Sequence, residues 1–158
     1  MNMKHTVCIV CLGFAAGCAT QGEWLSATSD GKAIESAILW EAKLDDRWTP
    51  VDMARLVKNA DQFEQQGNFY GVKGDLVVFG HPATYVGMLG VDLFAGPNAV
   101  LTGSPQDIAA YITQHHGAKF EKHGGSFVSE YKKDIKIIVE KHPNIRGASI
   151  IIGAYTGP

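Results

Sequence analysis

Two stretches of this chain carry the same marks in the same order. Thr49-Pro50-Val51-Asp52 is answered by Ser104-Pro105-Gln106-Asp107, Phe63-Glu64 by Phe120-Glu121, Phe69 by Phe127, and His81-Pro82 by His142-Pro143. In each half a Gly-Pro pair stands fifteen residues after the histidine, at Gly96-Pro97 and Gly157-Pro158. The offset between copies grows from 55 at the prolines of the helix starts to 57 at Phe63 and 61 at His81. Small loop insertions into the second copy would produce such a drift. The competing reading is convergent punctuation, because Ser/Thr-Pro-x-Asp is a common way to begin a helix.

Each copy reads helix, strand, strand. A hydroxyl at the cap, proline at the first helical position and an acid in the first turn satisfy or complement the free N–H groups of a helix start. Met53, Leu56, Val57, Ala60 and Phe63 then mark one apolar face, and Ile108, Tyr111 and Ile112 another. In the first copy the strands are 76–79 and 85–94, joined by a turn at 80–83; in the second, 135–139 and 148–155. A short strand is expected at 99–102. Connections this short make hairpins. The apolar run 76–101 is broken into strand lengths by Pro82, Pro97, Asp92 and four glycines. A further helix, 32–44, precedes the repeat. The expected fold class is therefore α+β: two tandem αββ units, 49–97 and 104–158, forming an antiparallel sheet of four or five strands with both related helices on one face. The extra amino-terminal helix should cover an end or edge of a single domain, 32–158.

The amino terminus says where such a domain works. Met1-Asn2-Met3-Lys4-His5 is short and positive, and 6–16 is apolar, too short to span a bilayer and right for a secretory signal. Ala15-Ala16-Gly17-Cys18 resembles the lipobox of bacterial lipoproteins, with Ala15 in place of the usual leucine. The resemblance implies removal of 1–17, lipidation of Cys18 and palmitate among the acyl groups. An ordinary signal cut near Ala19 is the rival reading. Cys8 and Cys11 have redox or metal spacing but lie in the signal, so no thiol would remain for chemistry. Residues 18–31 read as a lipidated tether in which Trp24 and Leu25 dock on the domain rather than dip into lipid. Ala19-Thr20 lacks the aspartate associated with inner-membrane retention, which favours the outer membrane. Tandem αββ units on a lipid anchor resemble, in architecture, the envelope lipoproteins with paired BON domains.

Recognised chemistry is sparse. Ser104 is better explained as a cap than as a nucleophile, and there is no phosphate loop and no dinucleotide fingerprint. His115-His116 close a helix, where imidazoles suit the carbonyl end, and no metal set is expected from them with His123. No cofactor is expected, and a net charge of −2 argues against nucleic acid. His81 and His142 recur, and would present equivalent groups on one sheet edge. Asp92 interrupts an apolar strand. Lys136 and Arg146, with Lys132, Lys133 and Lys141, put a mildly basic face on the second copy: 117–158 holds seven Lys/Arg against four Asp/Glu, whereas 19–116 holds six against twelve. The expectation is a membrane-anchored envelope lipoprotein, a non-catalytic binding or adaptor module for a protein or envelope polymer. The alternative is a periplasmic enzyme, or an enzyme inhibitor, using a cleft between the copies.

Overall fold

A computed structural model describes residues 24–46, 49–87 and 96–157. The signal sequence, Cys18, Asp92 and most of the strand expected at 85–94 lie outside these residues. The described chain is α+β, with three helices and a sheet whose paired neighbours are all antiparallel. Helix α1 (Ser29–Ile38) and α2 (Val51–Asn59) come first. Strands β1 (Phe63–Gln66), β2 (Phe69–Val72), β3 (Val77–Val78), β4 (His81–Gly87) and β5 (Asn98–Thr102) follow. Then come α3 (Pro105–His116) and strands β6 (Glu121–His123), β7 (Ser126–Lys132), β8 (Ile135–Lys141) and β9 (Ala148–Tyr155). The strand order is β1-β2-β4-β5-β9-β8-β7-β6, with β3 paired to β4.

One apolar cluster joins the helices to a single sheet face: Ile34 and Ile38 of α1, Met53 and Val57 of α2 and Ile108 and Ile112 of α3 meet Val86, Leu101, Ile137 and Ile151. Alternation explains β8, where Ile135, Ile137 and Val139 are buried and Lys136, Ile138 and Glu140 less so. Centrality explains β9, which is buried at nearly every position and reads as a continuous apolar run.

Several sequence expectations shift. The first helix begins at Ser29, capped by Thr28, and ends at Ile38 rather than 44, because Trp40 takes a left-handed backbone at φ 55°. It lies in the middle of the core instead of at an edge: Ile34, Ala37 and Ile38 have no exposed surface. The segment read as tether is docked from Trp24 onward, where the Trp24 ring sits edge-on to Tyr111 at 5.3 Å and Leu25 N–H donates to Gly80 O. Among the described residues five strands follow α2, where two and the short strand 99–102 are expected, and four follow α3, where two are expected. The short polar strands β1 and β6 expose most of their side chains, so alternation gives them no signal. The expected strand at 99–102 is β5, which lies centrally beside β9.

The turn expected at 80–83 is instead Phe79-Gly80, since Val78 pairs with His81. Both turn residues have positive φ, 48° and 74°, which suits a two-residue hairpin loop of the primed type. Phe79 holds this unusual backbone while its ring is fully buried and its N–H donates to Glu35.

Candidate functional site

The two recurring histidines end up near the same end of the sheet but not in equivalent places. His81 opens β4; His142 follows β8 and starts the β8–β9 loop. Their rings do different work. His81 Nδ1 lies 3.1 Å from Thr102 O, which places its proton there and leaves Nε2 buried without a partner among the described residues. Burial holds the His81 pKa below its ordinary value, offset by the Thr102 carbonyl and Asp107, so the ring is a neutral structural group packed against Gly103. His142 Nδ1 accepts from the N–H groups of Asn144, 3.2 Å, and Ile145, 3.0 Å, while His142 N–H donates to Ala148 O. That nitrogen must be unprotonated, so the proton sits on Nε2. The imidazole thereby folds residues 142–145 into a tight loop. The expected pair of equivalent groups is absent from the described structure; one histidine seals the β4–β5 end and the other shapes a loop.

The basic face divides as well. Lys136 points to the helix-free face and pairs with Glu130 at 2.9 Å, directly across β7 and β8. Lys132 reaches Glu41, beyond the end of α1, at 3.1 Å. Arg146 is exposed in the β8–β9 loop.

The loop that His142 shapes roofs a groove on the helix-free face. A cavity of about 330 Å³ is lined, among the described residues, by Phe69, Tyr85, Val100, Ile150 and Ile145, with Gln66, His142 and Asn144 at its margin. A second hollow of about 420 Å³ shares Gln66, Tyr85 and Ile145 with it and continues past Gly71 and Thr84 to Glu64 and Lys73. The register explains the trough. Ile150, Val100, Tyr85, Gly71 and Glu64 form one row across β9, β5, β4, β2 and β1. Gly71, with no side chain, lets the Gln66 side chain lie across the row where the apolar floor gives way to the polar rim.

Of the described residues expected to carry function, only His142 lines this groove. The others that line it were missed, although a signal existed. Tyr85, Val100 and Ile150 occupy positions where a solvent-facing strand would carry polar side chains, and the unbroken apolar run in β9 marks a strand covered on both faces.

A second cluster lies under the helices. Glu35 of α1 is buried; its Oε1 accepts the Phe79 N–H at 2.5 Å and its Oε2 is 3.9 Å from His116 Nε2. Burial pushes the Glu35 pKa up, countered by the Phe79 N–H, Lys32 and His115. Burial opposes ionisation of Glu41 too, but hydrogen bonds from Lys132 and Tyr131 outweigh it and hold that carboxyl below its ordinary value. Burial and the same Glu41 push Tyr131 up to about 12. His115 stacks on Tyr111 at 4.2 Å. Chemically this cluster ties α1 to the β3–β4 turn and to β7. Among the described residues no group of three or more His, Cys, Asp or Glu could hold a metal ion, and no helix is long and apolar enough to cross a membrane. Comparison with family models, with curated proteins and with solved structures finds no match to this chain.

Proposed function

We propose that this chain is a bacterial envelope lipoprotein, anchored through Cys18 and more at home in the outer than the inner membrane, whose domain is a non-catalytic binding module. The anchor rests on the lipobox-like Ala15-Ala16-Gly17-Cys18 after a positive and then apolar start. The binding role rests on one observation: the apolar groove beneath Ile145 on the helix-free face. It lies within the size range of small-molecule sites, and its floor offers apolar contact rather than a nucleophile and base. It is where an envelope component would be held. The domain itself is read as a duplication. The order β1-β2-β4-β5 is mirrored by β6-β7-β8-β9, with β5 and β9 meeting at the centre, and Phe69 and Phe127 fall in the corresponding second strands.

Two measurements test the reading. Radiolabelled palmitate should enter the full chain and be lost in Cys18→Ala; labelling that persists in the variant, or never appears, removes the anchor. For the groove, Ile145→Cys supplies a reporter whose alkylation is read from its own peptide by mass spectrometry. Alkylation should be about tenfold slower in isolated envelopes than in the same protein extracted and washed. Equal rates would mean that nothing occupies the groove.

A further inference from the structure

The two hollows form one trough whose character changes along its length. At the β9 end its floor is Ile150, Val100, Tyr85 and Phe69, roofed by Ile145. At the β1 end it is bordered by Gln66, Glu64 and Lys73. Four strand-to-strand steps of about 4.8 Å put the ends on the order of 19 Å apart. The trough therefore crosses the strands rather than following an edge.

That direction decides what fits. An extended peptide needs partners for its own N–H and C=O groups. The floor's backbone groups are already committed to the β2–β4, β4–β5 and β5–β9 ladders. Phe69, Val100 and Ile150 have no polar side-chain atoms to offer in their place. A hydrocarbon chain asks for nothing but apolar contact and gains by leaving water. At the far end Lys73 and Glu64 stand 3.2 Å apart, both more than half exposed, so the rim presents both signs of charge beside the Gln66 amide. A head group bearing both charges matches that rim better than a simple anion or cation.

We infer that the groove takes a single-chain amphiphile lying across the strands, its hydrocarbon tail on Phe69, Tyr85, Val100 and Ile150 beneath Ile145 and its zwitterionic head at Gln66, Glu64 and Lys73. This rests on the reading of the helix-free face as the binding site and adds the class of ligand. The His142-ordered loop supplies the roof, and tail and head connect beside Tyr85, which with Gln66 and Ile145 lines both hollows.

The test uses the full chain carrying Ile145→Cys, reconstituted in phospholipid nanodiscs, with dodecylphosphocholine below its micelle concentration as the probe. Dodecylphosphocholine should slow alkylation about tenfold or more, and hexylphosphocholine or free phosphocholine less than about twofold. Plugging the trough with Gly71→Val should abolish most of the protection. A Cβ there presses only on the flexible Gln66 side chain, and valine suits a strand. Thr84→Trp, at an exposed rim position, gives the same reading should the first plug fail to melt cooperatively. The inference is overturned if the dodecyl probe gives no protection, if the short probes protect equally, or if neither plug matters. Protection in envelopes without protection by the amphiphile would keep the groove as a binding site and discard this class of ligand.

Discussion

Glu35 is the one charged side chain in the core of the described residues, and it shows how a single group can set the pH response of a fold. Its carboxylate holds the Phe79 N–H in a turn that the phenylalanine backbone would otherwise resist. Burial is the largest influence on it and raises its pKa, so the folded state keeps the proton more tightly than the unfolded chain does. Its contribution therefore favours folding below the ordinary value of 4.5 and is lost as pH rises through the raised folded value. His116 works in the opposite sense: burial lowers its pKa, so the stability it contributes above 6.5 is lost as pH falls through its folded value. Lys32, His115 and His116 face this position in both wild type and Glu35→Gln, so comparing the two isolates the carboxyl. The amide of the variant keeps an oxygen for the Phe79 N–H but cannot ionise. The urea midpoint of Glu35→Gln should gain on wild type as the buffer is taken from pH 4.5 toward neutrality. A difference that is flat with pH, or that runs the other way, would sink this account.

Residues also show what matching sequence phrases conceal. Ser104 accepts the Asp107 N–H at 3.1 Å and donates to the Asp107 carboxylate at 2.7 Å, and Gly117 closes α3 in the left-handed region. All of this was legible, because a cap is satisfied within one turn. The parallel phrase Thr49-Pro50-Val51-Asp52 also starts a helix, but its cap is Pro50 and, among the described residues, no side chain caps its free N–H groups. Thr49 instead donates its backbone N–H to Asp45.

At the scale of elements, α1 is fastened to the sheet by the absence of two side chains. A Cβ on Gly31 would stand 1.8 Å from Val77 O, and one on Gly153 would stand 1.8 Å from Ile38 O. The Trp40 indole donates to Gly153 O at 3.0 Å, completing the crossing of α1 over β9. Because backbone lies on both sides of each contact, added bulk must push the helix off the sheet. Gly153→Ala should cost about 2–3 kcal/mol. Gly125, beside which a Cβ meets nothing and whose φ is not positive, should tolerate alanine with little change. Urea denaturation of the two variants checks the contrast; equal midpoints would show that α1 does not press on β9. Neither Gly31 nor Gly153 stands out in the sequence, because closeness of approach depends on a partner element far along the chain.

For the whole molecule, the described chain begins with a contact that spans it. Trp24 meets Tyr111 of α3 edge-on at 5.3 Å and His115 at 5.6 Å, while Leu25 N–H bonds the β3–β4 turn at Gly80. Docking of Trp24 was the expectation; its partners could not be read, because they lie far along the chain. Trp24→Ala should lower stability by about 1–2 kcal/mol and speed limited proteolysis within 24–28. Unchanged cleavage there would show that the contact does not hold the amino-terminal segment down.

The sequence by itself determined what is local: the cap and stop of α3, and the apolar runs that become strands β8 and β9. These depend on neighbours within a turn or on one strand's own pleat, and a short window contains them. Only the tertiary structure decided that α1 runs through the core, that His81 and His142 take different roles, and that an apolar trough crosses the helix-free face. Each of these depends on pairings such as Val100 with Ile150, between residues fifty apart. The order of strands fixes which side chains share a row, and no local pattern carries that order.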